Sequence, residues 1–579
     1  MNTRYQQLKE IADQTGLTEI LDRVGIAQFL GKSVRFCLDR EERDRHREIK
    51  QDYSSSRQVF QQLNEDAPEG LPSAPVWLIG SMNTVWGVKL ESILGLAMRL
   101  RGFRPIAVCP DSWEWRTKYH AICGVLESLH FRTFLRLTPE DHSEPWWPFP
   151  GGRPCMRDLM RLTYHDVDIG RIAVSNLIYR KKFSKFDLTD DTTVAELRVE
   201  LQCVRRRVQA AEKMVQESRP LMALILEKGV SPFAEIFGAC IANGVPVVQY
   251  VGSQEINGYI LKRYSLKNRH EHPFSLDHST WTYVKNMPWG EEQEQGLLTE
   301  LEDSYRQGTW FNRRFLHDDK QIKSPDVVRR QLGLDPEKKT AVVFSHVLWD
   351  ATIFYGEGIF DDYETWLVET VAAACQNSSV NWVVKLHPDL VWKLKYEGFT
   401  GELRDSFAIR SKIGRLPEHV KLVHPETDIS TFSFFGITDY CLTVRGTIGI
   451  EMACMGVPVL TAGTGRYSHL GFTVDSDSAE QYLDRIKFIQ DTPSMSPDSI
   501  ELARRFAYSL FRLRPWRMKS FEMIKLPLDK TGHPLERNFI SHLGHAREFA
   551  KAVDATQFAA WLASDRVDFL DLESWTQCR

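Results

Sequence analysis

The sequence predicts an α/β protein built from two parallel-sheet units. Three observations carry that expectation. Apolar runs of strand length alternate with amphipathic stretches: APVWLIG (74–80) leads through a helical segment to RPIAVCPDS (104–112). Strand, helix, strand is the pattern of parallel pairing. The same order returns in KTAVVFSHVLWD (339–350), DDYETWLVETVAAAC (361–375) and VNWVVKLHPDL (380–390). Finally, SPFAEIFGACIANGVPVVQYVGS (231–253) and TVRGTIGIEMACMGVPVL (443–460) share one plan: a loop, a short helix with a single glutamate, a turn and a strand. Glu235 precedes Gly244 by nine residues and Glu451 precedes Gly456 by five, so the likeness is one of pattern and not a repeat.

Four blocks follow along the chain. Residues 1–70, with clusters such as DREERDRHREIKQD, read as a helical N-terminal extension. The first α/β unit spans 71–315 and contains a long charged helical segment near 187–218. The second spans 316–500, where VKLVHPETD (420–428), DYCLTV and VPVLTAG add strands. Residues 501–579 read as a C-terminal helical segment. Two such units would form a cleft at strand C-terminal edges, where open parallel sheets bind ligands.

Composition narrows the function classes. With 579 residues, 42% hydrophobic and 26% charged, the chain is long enough for several domains of a soluble protein. No run reaches the ~18 apolar residues of a membrane helix, and MNTRYQQLKEIADQTG lacks a signal-peptide core. Ten cysteines lie scattered without CxxC spacing, so a reducing compartment is expected and no disulfide framework or structural zinc site. A formal charge of −4 gives no nucleic-acid signal. Basic YRKKFSK (179–185) suits a solvated face better than a membrane surface. The pairs Trp113/Trp115 and Trp146/Trp147 suit sugar stacking or core packing alike.

The candidate chemistry gathers at strand ends. After DYCLTV, Arg445 and Gly446 turn the chain, Thr447 starts a helix and Gly449 keeps its first turn bare. Amides at such a start attract phosphate. Glu451, one turn on, could accept from ribose hydroxyls; a compact strand–helix junction accounts for the turn equally well. His387 follows VNWVVKL, with Pro388 setting the exit. It could donate to a leaving phosphate or serve as a structural histidine. His424 stands at an analogous strand end. Thr427, Ser430 and Thr431 offer phosphate or base-edge contacts, or ordinary turn caps. Ser345, His346 and Asp350 follow another strand. They lack the G-x-S-x-G elbow of a hydrolase, and no HExxH or compact His/Cys set suggests a metal. In the first unit Glu91 and Asp111 are candidate general bases, with Asp166, Asp168 and Glu235 as further carboxylates, each of which also suits a solvated or capping role.

Taken together, TVRGTIGIEMACMGVPVL, KLHPDL and HPETDIS resemble the nucleotide-sugar half of bacterial capsule and surface-polysaccharide glycosyltransferases. The similarity is to the capsule-synthesis group that includes Kdo transferases and, more distantly, to polysialyltransferases and teichoic-acid polymerases. It covers roughly 335–480 most clearly and 70–255 more weakly. The resemblance implies a GT-B fold: two Rossmann-like domains facing a cleft, an acceptor domain at 71–315 and a nucleotide-sugar domain at 316–500. It implies donor phosphate contacts from His387, Gly446 and Thr447, and ribose contacts from Glu451. Where the family more often carries Ser-Thr before Gly, this chain has Arg445. Donor-side contacts are extended to Ser345, His346, Ser430, Arg445 and Gly449. Such enzymes need no tightly bound metal or cofactor; His387, Arg445 and the helix dipole could stabilise the leaving phosphate instead. The implied partners are a CMP-, UDP- or GDP-linked sugar donor and a saccharide or lipid-linked acceptor, with no nucleic acid. The implied location is cytoplasmic, with peripheral association at the inner membrane face as a variant. Two other functions fit the same residues: a GT-B-like sugar-nucleotide epimerase or hydrolase, and a non-catalytic glycan-binding or assembly protein.

Overall fold

The computed structural model describes residues 74–79, 85–110, 134–137, 146–149, 152–182, 186–255, 257–310, 320–350, 352–391, 402–523, 539–541, 546–549 and 551–572, with isolated positions 11, 12, 15 and 17. The expected helical extension at 1–70 lies outside the described residues apart from those isolated positions. The chain divides into two compact units. One comprises Met1–Thr138 with Lys519–Leu562, the other Pro139–Met518 with Ala563–Arg579.

In the smaller unit β1 (Ala74–Ile79), α1 (Val85–Arg99), β2 (Phe103–Pro110) and β3 (Phe134–Leu137) make a parallel β–α–β arrangement. Helix α1 buries Leu90, Ile93, Leu94 and Ala97, the i, i+3, i+4, i+7 stripe of an amphipathic helix. A helix at Val553–Leu562 packs against α1. The Asp554 carboxylate at its start accepts from the Lys519 and Ser520 amides at 2.9 and 2.8 Å.

In the larger unit a short helix, Met156–Arg161, precedes α2 (Ile169–Lys181) and the long α3 (Asp191–Ser218), the charged helix the sequence indicates. The Asp190 side chain caps α3 through the Thr193 amide, and Leu197, Leu201, Val204, Val208 and Ala211 form its buried stripe. Then follow β4 (Met222–Ile225), α4 (Phe233–Ala242), β5 (Val247–Gly252) and β6 (Gly258–Tyr264). β4 and β5 are parallel, and β6 turns back antiparallel.

Helix α5 (Glu291–Arg306) leads toward a second sheet. Its elements are β7 (Thr340–Phe344), α6 (Tyr363–Gln376), β8 (Asn381–Lys385), α7 (Arg404–Ile413), β9 (Val420–Val423), β10 (Tyr440–Thr443), α8 (Thr447–Cys454) and β11 (Val459–Thr461). All pairs are parallel and the spatial order is β9-β8-β7-β10-β11. In chain order this is 3-2-1-4-5, the doubly wound arrangement. β7 and β8 are buried along their whole length, which is why TAVVF and NWVVK read as near-continuous apolar runs.

After α9 (Ala479–Lys487) and α10 (Pro497–Tyr508), β12 (Pro515–Arg517) pairs antiparallel with β6. Residues 501–579 were expected to be helical; the described part also holds this strand and an antiparallel pair, Phe521–Met523 with Phe539–Ser541. The edge of β6 supplies backbone partners, and Trp516 packs 6.3 Å from the Tyr259 ring, which outweighs local helical pattern there. Two sheet cores flanked by helices are the parts of a GT-B-like, two-Rossmann architecture, as the sequence leads one to expect.

Trp382 anchors the strand that carries the His-Pro loop. It is fully buried and its Nε1 donates to the Asn377 carbonyl at 2.8 Å. Trp382→Ala should lower stability by about 3–5 kcal/mol, read as a shifted denaturant midpoint; a change under about 1 kcal/mol would contradict this packing.

Candidate functional site

The strand order reverses between β7 and β10. Connections leave β7 toward β8 on one side and β10 toward β11 on the other, so a crevice opens at their C-terminal ends. The first residues beyond β7 are Ser345 and His346, and beyond β10 they are Val444, Arg445, Gly446 and Thr447. A cavity of ≈ 370 Å³ lies here, within the larger unit. His346, His387, Arg445, Thr447 and Glu451 line it from the second sheet, while Ser253 and His272 line it from the side of β5 and β6.

The turn after β10 is held in place by its neighbours. Thr443 Oγ1 accepts from the Gly446 amide at 3.2 Å, and Tyr467 Oη donates to the Gly446 carbonyl at 2.7 Å. A Cβ on Gly449 would sit 2.2 Å from Tyr467 Oη. Gly449 therefore admits the tyrosine that braces the turn, and it does not line the cavity. Glu451 is buried and accepts from Tyr305 Oη at 2.8 Å. Tyr305 stacks on Phe432, with centroids 5.2 Å apart.

The histidines are held in defined hydrogen-bonding states. The Asp389 amide donates to His387 Nδ1 at 3.2 Å, which leaves the proton of a neutral ring on Nε2. The His387 amide donates to Ser345 Oγ at 2.9 Å, so Ser345 fastens the His-Pro loop to β7. His346 Nε2 accepts from the Val444 amide at 3.2 Å, and its ring stacks on Tyr363 at 4.7 Å. Burial first, and then the charges of His387, Arg445 and Arg466, push the His346 pKa well below the usual histidine value. His272 is displaced the same way by burial, Arg466 and Arg445. Its Nδ1 accepts from the Phe274 amide at 3.0 Å.

Two arginines at the crevice carry unsatisfied donors. Arg445 is 5% exposed, and its Nε and Nη1 have no hydrogen-bond partner. Arg466 Nε is likewise without one, while its Nη1 donates to the Arg445 carbonyl at 3.3 Å. Burial lowers the Arg466 pKa to about 10. Among the described residues neither arginine forms an ion pair with a carboxylate. Buried donors of this kind are uncommon in native proteins, and a bound anion would satisfy them.

Of the other sequence candidates, Ser430 caps the short 3₁₀ segment Thr431–Ile437 through the Phe432 amide and does not line the cavity; Thr431 does. Asp350 and Asp389 are lining carboxylates beside Glu451. Glu91 belongs to the smaller unit, where it is 1% exposed on α1. Asp111 lies outside the described residues. Asp168 is engaged by Arg269 at 2.7 Å and His270 at 2.9 Å, and Glu235 is fully buried, 3.4 Å from Arg207. Lys385, Arg466, Tyr305 and His272 line the cavity but were not expected there. A lysine closing an otherwise apolar strand and an arginine in the glycine-rich GTGRYSHLG were legible signals; Tyr305, distant on α5, had none.

No family model and no curated protein sequence matches the chain. Solved structures similar to it include a UDP-GlcNAc 2-epimerase from Neisseria meningitidis bound to UDP-GlcNAc, at 9% identity over 76% of this chain and 96% of that one, with a TM-score of 0.26. They also include the beta Kdo 2,4 transferase KpsC of Thermosulfurimonas dismutans, at 13% identity over 57% and 87%, TM-score 0.31. The spinosyn rhamnosyltransferase SpnG matches at 11% identity over 75% and 95%, TM-score 0.25. At these values the likeness decides nothing about chemistry. Among the described residues no group of three or more His, Cys, Asp or Glu could hold a metal ion, and no helix is long and apolar enough to cross a membrane.

The depressed histidine pKa values set a pH dependence. An unfolded histidine binds a proton near pH 6.5, whereas folded His346 resists it, so acid favours the unfolded chain. The stability of the neutral ring is present above about pH 6.5 and lost below it. His346→Gln should therefore shrink the fall in denaturant midpoint between pH 7 and pH 5; an unchanged fall would contradict a neutral buried His346.

Proposed function

We propose that the chain is a nucleotide-sugar-dependent glycosyltransferase that moves a sugar to a saccharide or lipid-linked saccharide acceptor in bacterial surface-polysaccharide biosynthesis. The observation that supports it most is the convergence, at the switch point of a doubly wound sheet, of the buried Arg445, the half-buried Arg466, a helix start and a buried glutamate around one cavity. A nucleotide phosphate meets Arg445, Arg466 and the Thr447 amide, which matches anion chemistry at a helix N-terminus; the Gly446 amide, a further contact implied by the sequence, is engaged by Thr443 Oγ1. Glu451, kept in place by Tyr305, accepts from the ribose hydroxyls. His387 donates from Nε2 to the phosphate oxygen that gains charge as the glycosidic bond breaks.

In this proposal 316–500 supplies the nucleotide-sugar side and 71–315 the acceptor side. Glu91 and Asp111 are the acceptor bases suggested by the sequence. Burial of Glu91 shields it from an arriving hydroxyl, and Asp350, exposed while lining the cavity, is the carboxylate we favour for that proton. The nucleobase is CMP-, UDP- or GDP-linked, no tightly bound cofactor is required, and the setting is cytoplasmic, with peripheral membrane association tied to a lipid-linked acceptor. A second proposal has a specific observation in its favour. Asp350 and Asp389 lie in the same cavity as the cations, and acids beside the donor sugar suit an epimerase or hydrolase.

A panel of nucleotide sugars, with and without oligosaccharide or lipid-linked acceptors, separates the two, with product anomericity read by NMR. Acceptor-dependent transfer is expected; turnover without acceptor favours the epimerase or hydrolase. His387→Ala and Glu451→Ala should each lower kcat/KM about tenfold to a hundredfold, the value of a charge-assisted hydrogen bond. Full activity in both variants would exclude this donor site.

A further inference from the structure

Lys385 ends β8, two residues before His387, and lines the same cavity. It is 4% exposed, and its Nζ stands 5.7 Å from the centroid of the Phe434 ring. Among the described residues it has no ion-pair partner. An ammonium in such a place lacks both water and a counter-charge. The basic groups that share the cavity are Arg445 beyond β10, Arg466 beyond β11, His387 on the exit of β8, His346 beyond β7 and His272 beyond β6. The acids are Asp350, Asp389 and Glu451, with Tyr305 and Tyr363 as phenols. Lys320 packs from outside the cavity, donating to the Pro425 and Thr427 carbonyls at 2.6 and 2.8 Å.

Resting on the assignment of this cavity to the sugar-nucleotide donor, we propose that Lys385 binds the donor's anionic portion and that one proton from solvent enters with the donor to charge its amine. The free amine, a proton and the anion become an ammonium–anion pair, with no covalent bond made or broken. Burial and the nearby Lys320 charge lower the Lys385 pKa to about 7. An anion placed against Nζ restores the charged form, because opposite charge favours ionisation. Donor affinity is then linked to pH through this residue. At pH 8 His346 and His272 contribute little, since both are held well below the ordinary value of 6.5.

Isothermal titration of the intact protein with UDP-, GDP- and CMP-linked sugars and with sulfate, whose charges are fixed over this range, tests this in two buffers of different protonation enthalpy at pH 6 and pH 8. Binding at pH 8 should take up close to one proton, and binding at pH 6 almost none. Affinity should fall about tenfold between the two, as expected for a group titrating near 7. Lys385→Met should abolish the uptake and weaken binding at pH 6 by about tenfold to a hundredfold. Lys385→Arg, permanently charged, should bind without uptake and without the pH dependence. Nucleotide-sugar binding with no uptake at pH 8, or uptake that survives in Lys385→Met, overturns the Lys385 proposal and leaves the donor site standing. Sulfate binding with uptake, but no nucleotide-sugar binding, supports Lys385 and overturns the donor assignment. Binding of none of these ligands overturns both.

Discussion

Buried positive charge without carboxylate partners is the constraint around which the larger unit is arranged. Arg445 and Arg466 sit at the C-terminal ends of neighbouring strands, β10 and β11, with donor atoms that no described side chain satisfies. Such charge is costly in the free protein. The turn that carries Arg445 is held by specific contacts. Tyr467 braces the Gly446 carbonyl, Gly449 makes room for Tyr467, and Ser345 ties the His387 loop to β7.

The same positive field explains the state of its neighbours. His346 and His272 are neutral because burial and two guanidinium groups oppose a further proton. A neutral ring can both accept and donate. His346 accepts from the Val444 amide and so locks the β10 exit to the β7 exit across the switch point. Glu451 is the counterweight in the cavity, kept facing it by a tyrosine that is itself stacked on Phe432. Arginine donors and a buried carboxylate thus line one cavity, the combination that we propose receives a phosphate and a ribose.

Much of this was legible in the chain. Apolar strands ending at polar clusters placed Ser345, His387 and Arg445 at one sheet edge, because a parallel sheet aligns all its strand C-termini. Strand order was not legible, although it decides which of those ends open a crevice. Ser430 and Gly449 were expected to touch a ligand. Their residue types fit, yet one caps a 3₁₀ turn and the other yields space to Tyr467, and both outcomes depend on tertiary neighbours. Lys385 carried a signal that periodicity alone discounts, a charge closing a fully buried strand. The short strand β12 escaped detection because its partner β6 lies far upstream in the chain.

The central claim is that the β7/β10 crevice is where a nucleotide sugar binds. Hydrogen exchange measured by mass spectrometry, with and without saturating UDP-, GDP- or CMP-linked sugars, addresses it directly. One of these donors should slow exchange in 345–350, 385–390 and 443–452 together, the backbone around the crevice. Protection confined to other segments, or none with any of the three donor types, would contradict it.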